Sequence, residues 1–146
     1  MEEITITALG VHLKVADLAR SQAFYDAFGF QQLGTFQDGV IYGVGGVALL
    51  ELNARHPAIA PEIFQSRITS AKTSLMVHVP SLLPVLTAAE RAHILLAVPP
   101  HRFPWKTIEV VIRDPDGFVV VFIAPDTEDE FRQVQARTTT DLDRAG

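Results

Sequence analysis

Apolar and polar residues alternate over residues 7 to 15. Leu9, Val11, Leu13 and Val15 fall on one face, and Gly10, His12 and Lys14 on the other. Period two predicts a strand with one apolar and one mixed face. Asp17 then stands where a helix N-cap belongs, and Leu18, Phe24, Tyr25 and Phe28 form the apolar stripe of a helix that Gly29 ends. Strands are predicted next at about 31–37, 39–44 and 47–53. Asp38-Gly39 and Gly45-Gly46 are their hairpin turns.

The same order returns further on. Leu75, Val77 and Val79 oppose Ser74, Met76 and His78, which predicts another two-faced strand. Ser81 is placed to cap a second helix through Ala92, with Leu82, Val85, Leu86 and Ala89 as its stripe. Three further strands are predicted near 94–98, 106–113 and 118–124. Aligning Val15-Ala16-Asp17-Leu18 with Val79-Pro80-Ser81-Leu82 superposes the two halves in pattern rather than identity. The chain therefore reads as one domain, 1–146, of two βαβββ modules. Module 1 covers about 6–53 and module 2 about 73–125. Residues 54–72, with Pro57 and Pro61, read as a linker first and as a lid over a site second. In the tail, 126–146, Thr127-Glu128-Asp129-Glu130 has a capping-box pattern and predicts a short helix to about Arg137, with a frayed end beyond.

Composition narrows the function. The chain has 146 residues, 48% of them hydrophobic and 20% charged, with a net charge of −5. That suits a globular protein with a well-supplied core. It lacks the basic patch that binding to nucleic acid requires. With no cysteine, disulfides, thiolate nucleophiles and cysteine metal sites are excluded. No apolar run is long enough to span a bilayer, and MEEITITAL has no signal-peptide zoning. A cytoplasmic protein without membrane or nucleic-acid partners is expected.

Two segments carry a resemblance: GVHLKVADLARSQAFYDAFGF, residues 10–30, and RDPDGFVVVFIAP, residues 113–125. Asp114-Pro115-Asp116-Gly117 has the residue preferences of a type I turn and feeds an apolar strand. Together the segments resemble the vicinal oxygen chelate superfamily, which groups glyoxalases, bleomycin-resistance proteins and extradiol dioxygenases. The resemblance spans about residues 6–125. It implies an α+β fold whose βαβββ modules curl a mixed sheet around a cleft, with helices on the outer face.

The resemblance also implies where metal ligands would lie: one residue on the first strand and one on the last strand of each module. Those positions fall on Gly10, Glu51, Ser74 and Val121. Glycine has no side chain, valine no lone pair, and serine is a poor ligand for zinc or iron. The expectation is no metal and no other cofactor. His12 shares the Gly10 face but lies about 6.8 Å further along an extended strand. His12, His78 and Glu51 could form a displaced three-ligand site, or be polar groups of the cavity wall.

Glu51, flanked by Leu50 and Leu52, could also work with His12 as a metal-free acid–base pair. Phe36, Tyr42, Phe64, Phe103 and Trp105 lie outside the helical stripes. Trp105, in HRFPWKT, is expected either to stack on a ligand or to pack as other aromatics do, while His101 and Arg102 are expected in a solvated loop. The ligand-binding set is therefore His12, Tyr42, Glu51, His78, Trp105 and Val121, with Glu51 and His12 catalytic if the chain is an enzyme.

Two functions follow from the resemblance. One is a metal-free protein of the bleomycin-resistance kind, binding a small aromatic or drug-like molecule as a homodimer. The other is a lyase, isomerase or dioxygenase.

Overall fold

The computed structural model describes residues 3–145, with side chains described through Thr138. The chain divides into two compact units, Met1–Arg67 and Ile68–Gly146. Each carries an open four-stranded mixed sheet, giving an α+β architecture.

The first unit runs β1 (Val11–Lys14), α1 (Leu18–Ala27), β2 (Gln31–Phe36), β3 (Gly39–Val44), β4 (Val47–Asn53) and α2 (Pro61–Gln65). The sheet order is β1-β4-β3-β2, with β1 parallel to β4 and the hairpins antiparallel. Asp17 caps α1 as expected, its Oδ1 accepting the Arg20 N–H at 3.0 Å. Leu13, Val40, Tyr42, Leu50 and Leu52 are buried on the face that receives Phe24 and Tyr25 of α1. The first strand is shorter than the alternation suggests. It starts at Val11, where pairing with β4 starts, and Leu9 is exposed. The expected linker holds α2, whose Phe64 is buried.

The second unit runs β5 (Ser74–His78), α3 (Leu83–Arg91), β6 (Val98–Phe103), β7 (Thr107–Arg113), β8 (Val119–Pro125) and α4 (Glu128–Ala145). Its sheet order, β5-β8-β7-β6, repeats the plan of the first, with β5 parallel to β8. The register repeats too: His12 pairs with Glu51 in the first unit, and Met76 with Val121 in the second. Leu82, Val85, Leu86 and Ala89 are buried as the helical stripe requires, and Ile108, Val110, Ile112, Val120 and Phe122 form the buried sheet face.

Three expectations are corrected here. The sixth strand lies at Val98–Phe103 rather than 94–98, so His101 and Arg102 are strand residues. Pro99 and Pro100 cannot donate to a ladder, and they are accommodated because β6 is an edge strand whose register shifts between Val98 and His101. Helix α3 begins at Leu83, and its cap is shared. The Ser81 hydroxyl accepts the Leu83 N–H at 3.1 Å, while Glu130 accepts from both the Ser81 hydroxyl and the Leu82 N–H. Finally, α4 continues to Ala145 instead of stopping near Arg137. Its start is as expected, with Thr127 Oγ1 accepting the Glu130 N–H; the last residue of the expected frayed end, Gly146, lies outside the described residues.

The Asp114–Gly117 turn anchors β8. Asp114 Oδ1 accepts the N–H groups of Asp116 and Phe118, each at 2.9 Å, and the Gly117 N–H donates to the Asp114 carbonyl. The Asp116 carbonyl accepts the Ile68 N–H at 2.8 Å. Gly117 has φ 93°, and a Cβ there would lie 2.1 Å from the Ile68 carbonyl oxygen, so glycine alone fits. Among the described residues no helix is long and apolar enough to cross a membrane.

Candidate functional site

In the first unit, period two turns His12 and Lys14 of β1 and Glu51 of β4 away from the helix-covered face. His12 and Glu51 are direct partners in parallel strands, and His12 Nε2 lies 2.9 Å from Glu51 Oε2. Lys14 Nζ lies 3.3 Å from His12 Nδ1. An ammonium can only donate, so Nδ1 accepts and Nε2 carries the proton shared with Glu51. The result is a hydrogen-bonded line from Lys14 through His12 to Glu51. Both His12 and Glu51 side chains are 38% exposed, which leaves the pair open to a ligand.

Tyr42 lies elsewhere. It pairs with Leu50 on the covered face, its ring is buried beside Tyr25 and Phe30, and its hydroxyl donates to Asp26 Oδ1 at 2.9 Å. Burial, reinforced by the Asp26 carboxylate, pushes its phenol well above the usual range. The structure thus makes Tyr42 a core residue of the first unit, on the opposite face from Glu51.

In the second unit, Ser74, Met76 and His78 of β5 are exposed and alternate with half-buried Leu75 and Val77. Met76 pairs with Val121 and His78 with Ile123, so Val121 and His78 share the uncovered face. Val111 is the partner of Val121 on β7 and continues the apolar surface. Trp105 occupies the turn from β6 to β7 and is 64% exposed. Its ring stacks on Phe103 at 4.7 Å and 16°. Trp105 Nε1 donates to Glu109 Oε2 at 3.3 Å, and the Thr107 hydroxyl donates to the same oxygen at 2.6 Å.

Sequence reasoning singled out Trp105 but not its supports. Phe103 was named beside it only as an aromatic residue, and the support that Phe103 and Glu109 give follows from β6 lying at Val98–Phe103, where His101 faces Glu109 and Phe103 faces Thr107. Phe36 was named among the aromatic residues but not placed on the Glu51 face, and Asn53 was missed there. The signal was available for Asn53, which lies two residues beyond Glu51 on the same strand.

These residues do not fit the metal set of the chelating enzymes. A Cβ at Gly10 would meet the Leu49 carbonyl oxygen at 2.9 Å, so the backbone must shift before any ligand can stand there. Ser74 pairs with Val119, and Met76 with Val121, neither of which offers a strong donor. Among the described residues, no three His, Asp or Glu side chains gather as a metal-binding group.

A profile described as the Glyoxalase/Bleomycin resistance protein/Dioxygenase superfamily matches residues 7–122. No curated protein matches the chain. Among solved structures, it is similar to a glyoxalase/bleomycin resistance protein/dioxygenase from Nocardioides at 20% identity, covering 86% of this chain and 88% of that one with a TM-score of 0.61. It is similar to a lactoylglutathione lyase from Agrobacterium tumefaciens at 24% identity, covering 82% and 95% with a TM-score of 0.57. A hypothetical protein from S. aureus aligns at 21% identity, covering 82% and 94% with a TM-score of 0.64. At these identities the solved structures carry the fold alone.

Proposed function

Because the chain belongs to the glyoxalase/bleomycin resistance protein/dioxygenase superfamily, we propose that it binds a small aromatic or drug-like organic molecule without the metal of its chelating relatives. The observation that carries this reading is the exposed Trp105 ring. An indole stacked on Phe103 and tethered through Nε1 to Glu109 is held in one orientation before any ligand arrives, and preorganisation lowers the cost of binding. Its exposed area can take a second planar group, a contact worth about 0.5–1.5 kcal/mol beyond the area it buries. Val121 and Val111 supply an apolar wall on the same sheet face. The resemblance to the bleomycin-resistance branch extends the proposal to a homodimer, and the absence of cysteine is in keeping with a cytoplasmic location.

Trp105 is the only tryptophan, so its fluorescence reports on this site directly. In a screen of planar aromatic compounds, hits should quench Trp105 and raise the melting temperature. Their thermal shifts should shrink in Trp105→Ala and Val121→Glu. Equal shifts in wild type and both variants would place binding elsewhere and defeat the assignment.

A second reading draws on the 2.9 Å contact of His12 with Glu51. Here the chain is a lyase or isomerase in which Glu51 moves a proton and the Lys14–His12 line steadies its charge, with no metal involved. Glu51→Gln would then abolish turnover of a bound substrate while leaving the thermal shift by that substrate in place. Turnover that survives the substitution would remove the reading.

A further inference from the structure

Asn53 closes β4, and period two puts its side chain on the Glu51 face, opposite Leu52. It is 4% exposed, and its amide oxygen Oδ1 has no hydrogen-bond partner among the described residues. A buried amide oxygen without a donor is costly, and folded proteins satisfy such atoms with a donor, a water or a ligand. Its neighbours in the ladder are Lys14 on β1 and Gly39 on β3. Lys14 turns its ammonium to His12. A Cβ at Gly39 would lie 2.0 Å from Phe36 Cζ, so the Phe36 ring occupies the space left by that glycine, on the same face as Asn53. Phe36 is itself 41% exposed. One patch of the first unit thus combines a half-open aromatic ring, an orphan acceptor and, one step along the face, the Glu51 carboxylate.

We propose that Asn53 is a ligand-recognition residue, and that the ligand is a planar aromatic carrying a primary carboxamide. This goes beyond the aromatic-binding reading, because the patch lies within the first unit whereas Trp105 lies in the second. The ring of the ligand lies against Phe36, and its amide N–H donates to Asn53 Oδ1. A carboxamide presents a donor and an acceptor on one edge, as the asparagine amide does. The pair therefore stays matched whichever way the asparagine amide is turned. A carboxylate in the same place would bring no donor and would face Glu51, about 6.8 Å along the strand.

The test is calorimetric titration of the full chain with benzamide, N,N-dimethylbenzamide and benzoate, followed in parallel by Trp105 fluorescence. Benzamide should bind about tenfold more tightly than either analogue, the factor that about 1.4 kcal/mol supplies. Asn53→Leu should erase that preference. Equal binding of benzamide and its dimethyl analogue by wild type overturns the proposal, even where Asn53→Leu does not fold, and is the result expected if the amide oxygen holds only a water. No benzamide binding up to about 10 mM, a very weak affinity, overturns it as well. If other planar aromatics quench Trp105 while the benzamide pair is not discriminated, the Asn53 assignment falls and the aromatic-binding reading stands. If no aromatic binds, both fall.

Discussion

Replacing Gly117 with alanine tests how the second unit holds its last strand. The new methyl would sit 2.1 Å from the Ile68 carbonyl oxygen, where ordinary contact begins at 3.4 Å, and at φ 93°. Holding a non-glycine residue in that region costs about 1–3 kcal/mol. Relieving the clash means moving residue 68 away from the turn. That loosens the Ile68 N–H bond to Asp116 and the guanidinium of Arg113, which donates to the carbonyls of Gly117, Ser70 and Thr69. Each such bond contributes about 0.5–1.5 kcal/mol net. The expected loss is about 2–5 kcal/mol, large against a typical total of about 5–15 kcal/mol. Urea denaturation followed by far-UV circular dichroism reads the strands and helices of both units. Gly34→Ala is the reference: nothing lies within 4 Å of its Cβ, so its change should stay within about 0.5 kcal/mol. A loss below about 1 kcal/mol for Gly117→Ala would refute the reasoning, since it would equal an average substitution.

Tyr42→Phe removes the hydroxyl bond to Asp26 and should cost about 0.5–1.5 kcal/mol at neutral pH by urea denaturation. The folded protein holds this phenol neutral beyond the ordinary value of 10.0, so the stability it contributes is present below that pH and is lost as pH rises above it. The gap between wild type and Tyr42→Phe should therefore narrow in alkaline solution; parallel pH profiles would contradict this. Glu130→Ala strips α3 of the acceptor for Ser81 and Leu82 and should cost about 1–2 kcal/mol in thermal unfolding, with Glu130→Gln recovering part of it. An alanine variant as stable as wild type would show that α3 needs no cap from α4.

Much of this fold was legible because local signals agreed with the tertiary outcome. Asp17, the turn at Asp38-Gly39 and the stripe from Leu82 to Ala89 each specify their element by chemistry confined to a few residues. The failures lie where distant residues decide. Ser81 suggested a local cap, but the acceptor for Leu82 comes from Glu130 on α4. The sixth strand was expected near 94–98, yet it runs Val98–Phe103, because an edge position tolerates Pro99 and Pro100 in β6. The candidate site divides in the same way. Strand alternation was enough to place His12 and Glu51 on one face. Tyr42 was misjudged because an aromatic residue in a hairpin strand can face either side, and nothing local shows that Asp26 receives its hydroxyl. The place of Asn53 on the Glu51 face was legible from the alternation, whereas its unsatisfied oxygen is a property of its surroundings.

The repeated register gives the molecule an internal reference. One cross-strand slot occurs twice, filled by the hydrophilic couple His12 and Glu51 in the first copy and by the greasy couple Met76 and Val121 in the second. At this slot the two copies differ in their side chains while the backbone pairing is the same. Transplanting the couple, by Met76→His together with Val121→Glu, asks the second copy to host what the first already carries. Because the backbone pairing at the two slots is the same, whatever distinguishes the grafted couple from the native one must come from its neighbours, so each half of the chain calibrates the other.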